Sequence, residues 1–127
     1  FILNTLDYLS RGGRCSAVTA FGANLLSIKP SIEMVDGALE VGKKYRGKIE
    51  TVYGQYIRDQ LSDPDKLDLS RAFLSHSGGG ISEETLQAMK KEILRWAPFQ
   101  EVQIIRAGCT ISAHCGPKTA TVMFMEK

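Results

Sequence analysis

Long apolar runs are absent from the chain: no segment approaches the roughly 18 consecutive apolar residues that a membrane-spanning helix needs, so a transmembrane segment is not expected. Charge of one sign is scarce as well. Sixteen Lys and Arg against fourteen Asp and Glu leave a formal net charge of +2, which gives no broad footprint for a phosphate backbone. A nucleic-acid partner is therefore not expected. Cysteine is sparse and odd in number: Cys15, Cys109 and Cys115 lack the spacing of a disulfide framework, and free thiols in a reducing compartment are expected. The first residues have neither the basic nor the apolar region of a secretory signal, and the expected location is the cytoplasm. The chain opens at Phe1 without an initiator Met and enters patterned sequence at once, so it is read as a fragment or a processed product.

What is present suits one globular domain over residues 1–127, with 43% hydrophobic and 24% charged residues and a single core expected. Asn4 or Thr5 can cap a short helix through Leu6, Tyr8 and Leu9, and Gly12-Gly13 supplies the positive φ that stops it. Ser16 can cap a second helix, which Pro30 prevents from continuing. From Ile28 to Val35 the apolar period becomes two, and Asp36-Gly37 signals a tight hairpin returning over Ala38 to Lys43. Ile49, Val52, Tyr53, Tyr56, Ile57 and Leu61 then keep helical spacing.

A polar connection over Ser62 to Ser70 leads to a buried strand, Arg71 to His76, which Ser77-Gly78-Gly79-Gly80 ends. Ser82 can cap the next helix, with Glu83 and Glu84 at its positive end, Ile81 stapled to Leu86, and Leu86, Met89, Ile93 and Trp96 facing the core. Pro98 closes it. Glu101 to Ala107 reads as a strand, and Thr119 to Met125 as another, apolar on both faces and so expected at a central position. Two amphipathic helices and about five strands make an α+β two-layer sandwich, a mixed sheet with helices packed on it.

Chemistry can reside in three places. Ala113-His114-Cys115-Gly116-Pro117, expected as a loop between strands, presents a histidine that can donate to a carboxylate or move a proton, or that serves only the loop. Arg11-Gly12-Gly13-Arg14 sets two guanidinium groups around a glycine turn, suited to a phosphate or an acidic partner, and equally to a solvated helix stop. Ser75-His76-Ser77-Gly78-Gly79-Gly80 can cradle an anion or simply connect strand to helix. Cys109, His114 and Cys115 lack a CxxC pair or a nearby fourth ligand, so no metal is expected.

Asn4-Thr5-Leu6-Asp7-Tyr8-Leu9 with Arg11-Gly12-Gly13-Arg14, then Leu25-Leu26-Ser27-Ile28-Lys29-Pro30, Asp36-Gly37, Ser75-His76 and Ala113-His114-Cys115-Gly116-Pro117 occur in an order that resembles the C-terminal domain of the DegV family. The resemblance implies a bacterial carrier in which two α/β domains enclose a long-chain fatty acid and present its carboxyl group to an ATP-binding fatty acid kinase subunit. By the same resemblance His114 lies at the carboxylate, and the family's N-terminal domain, absent from these residues, supplies the other polar contacts. No cofactor beyond the bound lipid is implied. Cys115 stands where the family usually has small or hydroxyl residues, and Lys118 where it commonly has Gly.

A lipid needs a long apolar slot with polar groups at one end, and Phe21, Leu25, Leu26, Ile28 and Ile32 can supply the acyl-chain wall or plain core. Arg11 and Arg14 are expected to meet a partner or its phosphate. Two other functions stay open: a small hydrolase or transferase with His114 as base and Ser112 or Cys115 as nucleophile, and a phosphate-binding regulatory module built on Arg11, Arg14 and Ser77 to Gly80.

Overall fold

A computed structural model describes residues 1–11 and 28–127. The helix expected from Ser16 lies almost wholly outside the described residues, as do Cys15 and the Gly12-Gly13 stop. The N–H of Asp7 donates to Thr5 Oγ1 at 3.3 Å, and α1 (Asp7–Arg11) follows. Strands β1 (Ile28–Val35) and β2 (Ala38–Arg46) pair antiparallel about Asp36 and Gly37, which take φ 49° and 81°, the left-handed pair that a two-residue hairpin demands. The register shifts between Pro30 and Ile32, where proline has no N–H to give, and Ser31 Oγ accepts the N–H of Lys43 instead.

Helix α2 (Ile49–Gln60) buries Ile49, Val52, Tyr53, Tyr56 and Ile57. In α3 (Glu83–Trp96) Ser82 caps the N–H of Thr85, and Leu86, Met89 and Ile93 are buried. Trp96 packs at the core's edge, its indole N–H donating to Glu92 at 2.7 Å. The helices lie against a three-stranded sheet ordered β4 (Val102–Arg106), β3 (Leu67–His76), β5 (Ala120–Glu126), parallel between β4 and β3 and antiparallel between β3 and β5. The five described strands therefore form two sheets, one an antiparallel pair and the other a mixed sheet of three. Backbone hydrogen bonds from Phe1, Ile2 and Leu3 to Ile32, Pro30 and Ala120 tie them together.

Three expectations are corrected. The central strand is β3 and not β5: the apolar outer residues of β5, Met123 and Met125, are 41% and 70% exposed, so their character reflects an uncovered face and not a middle position. Strand β3 begins at Leu67, four residues before Arg71, after a 3-10 turn at Pro64–Lys66, so strand and turn together take up most of the expected polar connection. The segment expected as a loop around His114 is a two-turn helix, α4 (Cys109–Cys115). It has no side-chain cap at Gly108 and only one large aliphatic residue, Ile111, so neither a cap nor an apolar stripe announced it.

The single expected core is also divided. Ile2 joins the large cluster under α2 and α3, while its neighbour Leu3 joins a smaller one with Leu6, Leu9, Ile32 and Cys115. Successive residues of an extended chain point to opposite faces, so this segment feeds both sides. The small cluster holds α1 against α4.

Candidate functional site

The parallel strands β3 and β4 end side by side, and a cavity of about 400 Å³ opens at those carboxyl ends, the end where open α/β sheets take ligands. Phe1, Leu9, Met34, Leu39 and Ile111 supply apolar wall, while His114, Ser75, Thr119 and Thr121 bring polar groups. Ser75 and Thr121 are direct partners across the β3–β5 ladder, and the Thr121 hydroxyl also lies 3.4 Å from that of Tyr56 on α2.

His114 is half-buried in the last turn of α4, its Nδ1 2.7 Å from the carbonyl oxygen of Thr110. A carbonyl only accepts, so Nδ1 carries the hydrogen and Nε2 is the nitrogen left for a ligand. The helix end is held by a small buried network. Ser77 Oγ donates to Gly116 O at 2.6 Å and accepts from the N–H of Thr119 at 3.1 Å, while Thr119 Oγ1 donates to Cys115 O at 2.9 Å. Gly116 sits at φ 79°, and a Cβ there would collide with the ring of Tyr8 on α1. Lys118 takes φ 61°, a left-handed conformation that glycine adopts at less cost, and its carbonyl accepts the Tyr53 hydroxyl at 2.6 Å.

The residues singled out from sequence separate accordingly. Ile32 is 1% exposed in the small core and lines a second cavity, of about 470 Å³, together with Phe1, Met34 and Leu39 of the first. Ile28 starts β1 and is not among the residues lining either cavity. Arg11 is the last residue of α1. Phe21, Leu25, Leu26 and Arg14 lie outside the described residues. Leu9, Met34, Leu39 and Thr121 were not singled out. The period-two pattern does place Met34 opposite Leu39 across the hairpin, so that pair was within reach.

Among the described residues the arrangement offers no assembled nucleophile and base. Ser112 and His114 stand two apart on one helix and do not face each other, and the Ser112 hydroxyl turns back to Ala107 O at 3.5 Å. Burial pushes the Cys115 thiol up, away from the reactive thiolate. The glycine turn is packed and not an open cradle, since a Cβ at Gly79 would collide with Pro117, and Glu83 and Glu84 occupy the first turn of α3. His76 Nδ1 accepts the N–H of Gly78 at 3.1 Å. Burial, and secondarily the charge of Arg106, hold its proton affinity below the ordinary histidine value. Among the described residues, no cluster of three His, Cys, Asp or Glu could hold a metal, and no helix is long and apolar enough to cross a membrane.

Met34 and Ile111 of the cavity wall, and Ile105, Met123 and Met125 beyond it, expose between 36% and 70% of their surface. Apolar patches of this kind drive association. The 127-residue chain by itself is expected to self-associate, with sedimentation showing mass that rises with concentration; a clean monomer across the micromolar range would contradict this.

The family model described as an uncharacterised protein of the DegV family matches residues 1–127. A DegV domain-containing protein of Caldanaerobacter subterraneus subsp. tengcongensis is 31% identical over 128 residues, covering 99% of this chain and 44% of that protein. A solved DegV family protein from Thermus thermophilus, described for its fatty acid binding, is similar at a TM-score of 0.76 and 27% identity, over 96% of this chain and 44% of that one. The Fatty Acid Kinase (Fak) B3 protein of Streptococcus pneumoniae, loaded with linoleic acid, shares the fold at a TM-score of 0.69 and 18% identity, over 97% of this chain and 42% of that one. The chain thus spans less than half the length of these relatives. The match over every residue, together with the shared fold, shows that the chain belongs to the DegV family.

Proposed function

We propose that these residues form the C-terminal half of a fatty-acid carrier, in which a long-chain fatty acid lies between this domain and the family's N-terminal domain. The observation that carries the reading is the cavity at the ends of β3 and β4, apolar along most of its wall, with His114 beside it and Nδ1 already committed to Thr110. That leaves Nε2 for the lipid's carboxyl group. One proton lies between them, either on an imidazolium that donates to a carboxylate or on a carboxylic acid that donates to the neutral ring. Leu9, Met34 and Leu39 supply acyl-chain wall on this side, and Ile32 extends it in the adjoining cavity.

In this reading the protein is a carrier and not a catalyst, and an ATP-binding fatty acid kinase subunit docks at the carboxylate end. Arg11 and Arg14 contact that partner. The similarity to a solved family protein described for its fatty acid binding supports the lipid-carrying part of this role.

His114→Ala in the two-domain parent is expected to weaken fatty-acid binding by about 1–3 kcal/mol, the range of a lost charge-assisted hydrogen bond, with the fold intact. A fluorescent fatty-acid titration measures it. Unchanged affinity would remove His114 from the site, and mass spectrometry showing no lipid in the purified parent would count against the carrier itself.

A further inference from the structure

The first residues of the chain lie as a strand between the two sheets. Ile2 bridges Ser31 on β1 and Ala120 on β5 at once. Its N–H donates to Ala120 O at 2.8 Å, and the N–H of Ala120 donates back at 3.2 Å. Phe1 makes the same exchange on the other side: the N–H of Ile32 donates to Phe1 O at 2.8 Å, and the Phe1 nitrogen donates to Ile32 O at 3.0 Å. Bonds that alternate between two neighbours in this way belong to an inner strand, with about 4.8 Å to the strand on either side.

Both flanking edges run on past Phe1. Ala120 and Ile32 each turn N–H and C=O toward the first residues, so Val122 and Met34, two positions on, turn theirs the same way. The Tyr56 hydroxyl meets the Val122 backbone from the α2 side, as that direction requires. Val122, Met34 and Tyr56 all line the cavity of about 470 Å³, with Phe1 at its end. That cavity prolongs the path of Leu3, Ile2 and Phe1 between β1 and β5. Counting back from Ile2, the first position before Phe1 faces Glu33 and Val122, and the second faces Met34 and Met123. Ile2 belongs to the large core, whereas Phe1 and Leu3 pack with the small one. Continued alternation turns the first added side chain toward Tyr56, and the second to the side where Phe1 and Met34 line the first cavity.

We infer that the two residues preceding Phe1 in the two-domain parent continue this strand between β1 and β5, and that the second of them adds its side chain to the wall of the lipid cavity. Both sheets then become one, with the added strand between β5 and β1. Continuity selects this occupant, because a segment joined to Phe1 enters the cavity with its register already set and no loop to close. The place of the second side chain beside the acyl chain rests on the carrier reading; the strand rests on the hydrogen bonds alone. The residue that connects the two domains thereby also shapes the slot, which makes it a determinant of which acyl chain is accepted.

The test uses the two-domain parent. In hydrogen exchange followed by NMR, the Met34 amide should exchange within about threefold of the Glu33 amide, which pairs with Glu40 on β2, whereas an amide on an open edge would exchange about a hundredfold faster. A cysteine at the second position before Phe1 should form a disulfide with Met34→Cys, since the α-carbons of such a pair lie about 5.5 Å apart. A cysteine at the first position should not, because it faces the other side. Replacing the second residue with Trp should weaken oleic acid binding by about tenfold, with the unfolding midpoint unchanged. A fast Met34 amide would overturn the strand, as would a slow one without the disulfide, which would place residues 12–27 or another segment in the cavity. Full oleic acid affinity in the Trp variant would overturn the side chain's place in the slot. A parent that shows the strand and binds no fatty acid would overturn the carrier reading and leave the strand standing.

Discussion

Gly116→Ala is expected to destabilise the domain by about 2–5 kcal/mol, because two penalties fall on one added methyl group. Gly116 caps α4 with φ 79° and ψ −177°, a region essentially reserved for glycine. Its α-carbon also faces the ring of Tyr8, where a Cβ has no room. Relief requires α1 and α4 to part, and their separation opens the small core of Leu3, Leu6, Leu9, Ile32 and Cys115. Urea unfolding in the two-domain parent measures the cost. Adding Tyr8→Ala separates the causes, since it should recover the steric share and leave the backbone share. A loss below about 1 kcal/mol would mean that the loop bends freely. Lipid affinity should fall as well, because His114 rides on the displaced helix.

The elements that were legible in the sequence are those whose stabilisation is local or strongly periodic. Asp36-Gly37 names its own turn, Ser82 caps α3 as its position requires, and α2 carries an apolar stripe from Ile49 to Leu61. The misplaced elements depend on contacts distant in sequence. Whether β5 is central or at an edge is decided by which strand reaches β3, and an exposed Met123 looks the same in sequence as a buried one. Helix α4 stands because Ser77, forty residues upstream in round numbers, bonds its end, and no pattern within seven residues encodes that.

The site follows the same division. His114 was visible because histidine is chemically conspicuous and because its motif resembles the family's. The tautomer that frees Nε2 was not, since it depends on a helical carbonyl four residues back in a segment expected to be a loop. Ser77 was grouped with an anion cradle from its glycine neighbours. Its hydroxyl is instead consumed by Gly116 and Thr119, forty residues away in round numbers and beyond the reach of any local pattern.

Leu74→Ala is expected to cost about 2–5 kcal/mol, the range for removing a buried leucine where the surroundings cannot collapse. Leu74 is fully buried on the central strand, between Ile104 on the parallel side and Val122 on the antiparallel side, under the α2–α3 layer. Ladder hydrogen bonds hold both neighbouring strands in register, so neither can shift inward to fill the gap. The helices are similarly constrained: Tyr53 is anchored to the carbonyl of Lys118, and Tyr56 shares a hydrogen bond with Thr121. A cavity should therefore persist. Trp96, the single tryptophan, sits at the edge of this core and reports its unfolding, provided protein concentration is held constant against self-association. Leu69→Ala on the same strand supplies the contrast, since Leu69 is only partly buried and should cost less than half as much. Equal losses at the two positions would mean that the sheet, and not the packing beneath the helices, dominates the stability of the domain.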